Sequence, residues 1–344
     1  MPAPAPSTRP DGAPPPDRDA LVRLLARHAE ALGPADPHAI TLDGPVHSGR
    51  YSTVYRARVP GIGTPLAVKV VIDPVSGMAD SAAAATQHAA LERVHRAMPA
   101  DPKLRVPRPY LVDRPEGTLV LEWVGGAPMT ELLLSLRTSP AAGLALMTCA
   151  GRWLRRFASA HPLPRGHLDV DEKLSALVEL ERSGLGASRG VAGAIATLRR
   201  HAGLAAALEL ERSWLHGDFK TDNLLVDGDS LVAIDVHARH ENVAAYDVAA
   251  FLNHLDLTLC HPRAWRWRPW RRRLAREFLL AFDPGLLAHA RVAYAWTALY
   301  LMVSNLREFT GRRRPSLQHV YLARCFGTLI RRMTSELDGA AREA

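Results

Sequence analysis

At 344 residues, 47% hydrophobic and 23% charged, the chain is long enough for two lobes and a large core. Its formal charge of +8 admits anionic partners without naming one. Three widely spaced cysteines (Cys149, Cys260, Cys325) make neither a disulfide framework nor a metal knuckle, which points to a reducing cytoplasm.

Residues 1–18 hold seven prolines and are expected to be disordered; with no basic stretch leading into an apolar core, they do not form a signal peptide. Leu21, Leu24, Leu25, His28 and Leu32 predict an amphipathic helix over 19–32, ended by Gly33-Pro34 and packed on the first lobe. Residues 40–72 read as β structure. A strand–turn–strand runs through Gly49, Ser52 and Val54, and Pro65–Ile72 is the next strand. A lone lysine inside that apolar strand, Lys69, is costly unless paired. A helix follows over 81–98, then an extended entry at Val106–Pro109 and a buried strand from Gly117 to Val124. Gly125-Gly126 frees the chain, so the domain boundary is placed near 125.

Helices dominate from 127 onward. Leu146, Ala150, Trp153, Leu154 and Phe157 repeat at helical spacing, and two helices with a Gly/Ser break at 183–190 fill 168–200. Residues 261–276 hold seven arginines and three tryptophans. Tryptophans packed on the lobe with arginines in water would account for them, as would a membrane-surface segment or a dock for an anionic glycan. Nucleic acid has no motif behind it and is not expected. The apolar window Val292–Leu306 is too short to span a bilayer and reads as a buried helix, part of the last helical stretches 286–309 and 316–337.

The chemistry concentrates in Trp214-Leu-His-Gly-Asp-Phe-Lys-Thr-Asp-Asn223-Leu-Leu-Val and Leu231-Val-Ala-Ile-Asp235. An apolar strand ends at His216, a polar loop follows, and two short β-prone runs flank Asp227-Gly228-Asp229 as a hairpin. Asp218, Asn223 and Asp235 then fall at strand ends, facing one cleft. A carboxylate able to accept a hydroxyl proton, beside an amide oxygen and a second carboxylate, is a set of hard oxygen donors suited to Mg²⁺. Lys220 adds a positive charge within reach of a phosphate. The spacing is that of a kinase catalytic loop followed by a metal aspartate.

Together, His216-x-Asp218-x-x-x-x-Asn223, Ile234-Asp235 and Tyr246-Asp247-Val248-Ala249 resemble the aminoglycoside phosphotransferase / choline kinase family. The resemblance implies an α+β, two-lobed protein-kinase-like fold: a tail (1–18), a small β-rich N-lobe (19–125) and a larger, mostly helical C-lobe (126–340). It implies ATP and Mg²⁺ as cofactors, Asp218 as catalytic base, Asn223 and Asp235 as metal ligands, and His216 and Asp247 as residues that hold the loop. Lys220 departs from the histidine more common in the aminoglycoside enzymes and looks like the protein-kinase lysine on the γ-phosphate. In the phosphate loop only the central glycine, Gly49, is kept, with His47 and Ser52 at the outer places. The family pairs the strand lysine, here Lys69, with a helix glutamate; Glu92 is the one carboxylate in the helix body, and Gln87 is nearer the expected place. The backbone of Glu122 and Val124 would meet the adenine edge.

Two of only four lysines in a chain with 43 basic residues fall where this family needs an ammonium group. Eleven residues separate Asp235 from Asp247, with no Ala-Pro-Glu element, too short a segment to dock a polypeptide. The expectation is a cytoplasmic, ATP-dependent kinase, peripheral at the membrane if the Arg/Trp stretch lies on one. Its small hydroxylated acceptor would be a sugar, an aminoglycoside-like compound, an amino alcohol or a glycan. The basic second lobe favours a neutral or anionic acceptor over a polycation. The eroded glycine loop leaves a nucleotide-binding pseudokinase acting as an interaction module as the alternative, and Lys220 leaves a protein kinase.

Overall fold

Alternation in the strand Leu66-Ala-Val-Lys-Val-Val71 decides how the first part of the chain packs. In the computed structural model, which describes residues 17–28, 39–98, 101–182, 189–238, 241–310 and 317–344, the chain divides into two compact units. The first comprises Met1–Ala100, Arg105–Gly126 and Val232–Val236; the second comprises Asp101–Leu104, Ala127–Leu231 and His237–Ala344.

In the first unit β1 (Thr41–Ser48), β2 (Ser52–Arg58) and β3 (Leu66–Val71) are followed, after the two-residue β4 (Leu104–Arg105), by β5 (Pro109–Asp113) and β6 (Thr118–Glu122). They form an antiparallel sheet in the order β1-β2-β3-β6-β5, with Lys69 opposite Val54 and Leu119. One face buries Leu66, Val68 and Val70 with Leu42, Tyr55 and Val120 against Leu21, Leu24 and Leu25 of α1 (Arg18–Arg27). Each such side chain contributes roughly 1.5–3 kcal/mol on burial. Val71 and Leu119 face the other way and pack with Ala84 of α2 (Ser81–Ala97), so Lys69 shares the α2 side by alternation. The Asp80 carboxylate caps α2 by accepting from the Ala83 amide at 2.8 Å. Helix α1 ends at Arg27; Leu32 and Gly33-Pro34 lie outside the described residues, as do 1–16 of the Pro-rich tail. His28 is turned not to the apolar face but to Asp113, 3.2 Å away.

In the second unit β7 (Ala127–Pro128) leads into α3 (Met129–Leu134), α4 (Pro140–Ala160), β8 (Pro162–Gly166), α5 (Val170–Arg182), α6 (Arg189–Arg200) and the short α7 (Ala202–Ala206). Most of the Gly/Ser break, 183–188, lies outside the described residues. Then come β9 (Leu210–Trp214), a 3₁₀ turn at Thr221–Asn223, β10 (Leu224–Asp227), β11 (Ser230–Ala233), β12 (Glu241–Val243) and α8 (Ala245–Cys260). β8, β9 and β12 form one small sheet, while β10 pairs with β7 on one side and forms a hairpin with β11 through Gly228 (φ 58°). Four more helices close the unit: α9 (Arg271–Phe282), α10 (Leu286–His289), α11 (Arg291–Thr310) and α12 (Leu317–Glu343). The stretch expected as one helix over 286–309 is two, broken at Ala290. No described helix is long and apolar enough to cross a membrane, and Val292, Trp296, Leu299 and Val303 of α11 are buried.

Trp153 and Phe157 of α4 stack at 5.3 Å, Trp153 on Phe219 at 5.4 Å, Phe219 meets Phe251 at 5.3 Å, and Phe251 stacks on Phe278 of α9 at 4.3 Å. This aromatic column requires α4 and α9 to touch closely, which Gly151 permits: a Cβ there would stand 2.3 Å from the Phe278 carbonyl oxygen. Gly151→Ala gains about 1 kcal/mol of helix propensity but forces two backbones apart, an overpacking cost of about 1–3 kcal/mol. The steric cost wins, so the urea midpoint of unfolding falls at an unchanged m-value; a midpoint that rises would show that α9 is free to move away.

Candidate active site

The loop after β9 is held from beneath by one face of α8. The Asp247 carboxylate, 3% exposed, accepts from the His216 amide at 2.6 Å and the Gly217 amide at 3.1 Å. Burial pushes its pKa up to about 7, and the two amide bonds oppose that shift. Gly217 adopts φ +86°, where a side chain is strained, and a Cβ would lie 3.2 Å from the His237 side chain. His216 is fully buried among Trp153, Phe157 and Phe219, and its Nδ1 accepts from the Asp218 amide at 3.3 Å. Phe219 is fully buried too, so Asp218 and Lys220 on either side of it remain partly exposed.

The reactive groups follow from that anchoring. Asp218 Oδ2 accepts from Lys220 Nζ at 2.7 Å and from Asn223 Nδ2 at 2.8 Å, and Asn223 Nδ2 also donates to the Asp218 carbonyl oxygen at 2.9 Å. With its amide N–H₂ so committed, Asn223 has its Oδ1 left as a hard oxygen donor.

A second layer was not read from the sequence. Thr221 Oγ1 lies 2.9 Å from His254 Nδ1 and 2.6 Å from Thr130 Oγ1, and His254 Nε2 lies 3.3 Å from Asp222 Oδ2. Asp247, Phe251, His254 and Thr258 are spaced i, i+4, i+7, i+11 on α8, and each meets a residue of the loop. That periodicity, set against the loop, was the available signal.

In the first unit Lys69 Nζ donates to Asp235 Oδ1, with the lysine side chain 11% exposed. Glu92 does not meet Lys69. Its half-exposed carboxylate lies 3.8 Å from His88 Nδ1, because it falls off the buried face of α2 formed by Ala84, Ala90, Leu91 and Val94. Gln87 is partly buried and stands three residues after Ala84 and four before Leu91, on the same side of the helix. Asp235 has φ 57°, a left-handed conformation that aspartate tolerates better than most residues and that tends to collect at functional positions. Gly49 closes the β1–β2 turn by donating to the Ser52 carbonyl at 2.9 Å. The Glu122 amide donates to the Arg108 carbonyl at 2.8 Å, its carboxylate pairs with Arg105 at 2.8 Å, and Val124 is buried two residues on.

The phosphotransferase enzyme family model matches residues 44–256, more than half of the chain and all of the site residues just described except Thr258. The chain belongs to this family. No curated protein matches it in sequence, whereas solved structures match over nearly the whole fold. A choline/ethanolamine kinase family protein from Mesorhizobium loti is 14% identical with a TM-score of 0.57, covering 95% of this chain and 99% of that one. An ethanolamine kinase from Plasmodium vivax is 10% identical with a TM-score of 0.59, covering 92% and 90%. The amicoumacin kinase hAmiN, in complex with AMP-PNP, Ca²⁺ and Ami, is 13% identical with a TM-score of 0.54, covering 94% and 93%. At such identities the likeness establishes the α+β, protein-kinase-like fold shared with this phosphotransferase family.

Asn223 offers an amide oxygen and Asp235 a carboxylate, each a hard oxygen donor of the type that Mg²⁺ takes. Among the described residues no group of three or more His, Cys, Asp or Glu could hold a metal ion.

Burial pushes the Asp222 carboxyl up, but His254, the Thr130 hydroxyl and the Lys220 ammonium outweigh it and hold the pKa at about 2 against an ordinary 3.8. A depressed folded-state pKa stabilises above pH 4, and that contribution is lost as pH falls through 4 to 2. The Asp222 side chain is 48% exposed, so solvent screening reduces this contribution, and Asp222→Asn is expected to cost about 1 kcal/mol of stability at neutral pH and to flatten the acid limb between pH 4 and 2. Chemical denaturation of both proteins across that window reads the difference, and parallel curves would contradict it.

Proposed function

We propose that this phosphotransferase is a magnesium-assisted kinase that moves the γ-phosphoryl group of ATP to a hydroxyl of a small acceptor. The observation that carries the reading is the Asp218 carboxylate gripped at Oδ2 by Lys220 and Asn223. Both donors bind the same oxygen, which orients the group and leaves Oδ1 to receive a proton. The acceptor hydroxyl gives its proton to Asp218 as its oxygen bonds to the γ-phosphorus and the bond to the ADP oxygen breaks. Lys220, at hydrogen-bond distance from the base, supplies a fixed positive charge beside the transferring group, and Lys69 supplies another for the nucleotide phosphates. Asn223 and Asp235 are the residues that would hold Mg²⁺, which when bound neutralises charge on the phosphoryl oxygens.

Gly49 and Ser52 cover the phosphates in this reading, and the backbone at Glu122 and Val124 takes the adenine. ATP as donor is supported by the nucleotide analogue in the amicoumacin kinase, and a small acceptor by the eleven residues between Asp235 and Asp247. The acceptor class is a sugar, aminoglycoside-like compound, amino alcohol or glycan, with neutral or anionic members favoured by the chain's net charge of +8.

ADP release with Mg²⁺ across a panel of these acceptors tests the proposal. Asp218→Asn is expected to lower kcat by about 10²–10⁴ with KM and melting temperature little changed. Turnover that survives this change would rule out Asp218 as the base. Metal-independent nucleotide binding without transfer would instead support a pseudokinase.

A further inference from the structure

The Arg/Trp stretch is divided by its geometry into a buried half and an outward half. Pro262–Trp270 is a 3₁₀ helix, in which residues three apart share a face. Ala264 and Trp267 are buried on one face, while Pro262, Trp265 and Arg268 are all exposed on another. The buried face is fixed firmly. Trp267 Nε1 donates to the Leu133 carbonyl at 2.6 Å, and its ring occupies space that any side chain at Gly143 would fill, 2.4 Å from a Cβ placed there. Arg266 donates to the carbonyls of Ser135 and Leu136, which ties the loop after α3 to this helix. That loop presents Leu136, 72% exposed, and the exposed Arg137.

Trp265 is thus held 64% exposed by a rigid neighbourhood that has already buried Trp267 two residues on. Between His261 and Phe282 seven arginines face one acid, Glu277. Arg271 is used internally, 2.5 Å from buried Asp256, but Arg263, Arg268, Arg272, Arg273 and Arg276 are exposed. Exposed Trp265 and Leu136, linked through Arg266, together with the exposed arginines of the same segment and of α9, match the boundary of an anionic bilayer. There the indole sits at headgroup depth and the guanidinium groups meet phosphates. A soluble polyanion would satisfy the arginines alone and leave Trp265 and Leu136 in water.

We propose that this surface docks the protein peripherally on a membrane containing anionic phospholipid, with Trp265 and Leu136 inserted and the surrounding arginines on the headgroups. Cosedimentation of the full chain with sucrose-loaded vesicles tests it. Vesicles of phosphatidylcholine with phosphatidylglycerol are expected to bind the chain at low salt, and phosphatidylcholine vesicles are not. Each arginine near such a surface is worth roughly fivefold in partitioning, so Arg263→Ser/Arg268→Ser/Arg272→Ser together weaken binding on the order of a hundredfold. Trp265→Ser is expected to weaken it several-fold and Trp265→Phe to retain most of it. An unchanged melting temperature shows that these surface variants are folded. Equal binding to both vesicle types, binding to neither, or full binding by the triple variant overturns the proposal. So does tight binding to heparin that survives Trp265→Ser in a chain that ignores vesicles, which would assign the surface to a soluble polyanion.

Discussion

One carboxylate fixes the loop to which the proposed chemistry is assigned. Asp247 sits inside the second unit where an ionised group is costly, as its upward-shifted pKa records. Its compensation is the pair of amides from His216 and Gly217, together with a place in the first turn of α8, where the positive end of the helix favours negative charge. Two successive amides can aim at one carboxylate only if the chain turns sharply, and Gly217 at φ +86° makes that turn. Phe219 then enters the aromatic column while Asp218 and Lys220 are turned outward. Each further contact of α8 with the loop, from Phe251 to Thr258, extends the same face. The loop's shape is thus set by core packing, and its exposed groups inherit precision from buried ones.

The first unit solves a different problem, a lysine in an apolar strand. Alternation turns Lys69 toward the α2 side of the sheet, and Glu92, the one carboxylate in the body of that helix, lies beside His88 instead. The charge is met by Asp235, in a segment that returns to the unit late in the chain. Asp235 reaches that place in a left-handed conformation. In the proposed reaction Asp235 would serve both as counter-ion to Lys69 and as metal ligand, which would couple nucleotide charge to metal charge without a helix glutamate between them.

Much of this was legible in the sequence because it depends on local rules. β-prone runs on either side of a turn gave β1 to β3, the turn at Asp227-Gly228-Asp229 gave the hairpin, and the spacing from His216 to Asn223 gave the loop. The limits appear where a partner distant in sequence decides. Glu92 was a reasonable partner for Lys69 by composition, but helix phase, a matter of which row packs on the sheet, turned it to solvent. His28 matched the apolar period of α1 and instead found Asp113, 85 residues away. Asp222 lay inside the motif, yet its role emerges only with His254 from α8. The Arg/Trp stretch could not be divided by helical periodicity, since its period is three rather than 3.6, and the burial of Trp267 required knowing that Gly143 lies opposite.

The division of labour between lysine and arginine follows from shape. Buried Asp256 receives two guanidinium groups, from Arg271 and Arg332, and Arg266 spans two backbone carbonyls; both tasks suit a planar fork with several donors. At Asp218 a fork would be a liability. It would match both carboxylate oxygens at once and occupy the atom that, in the proposed reaction, takes the proton. A single ammonium on Oδ2 delivers the charge and leaves Oδ1 open. In a chain that otherwise chooses arginine, lysine at 220 is the residue that, in the proposed reaction, would let one carboxylate be held and still react.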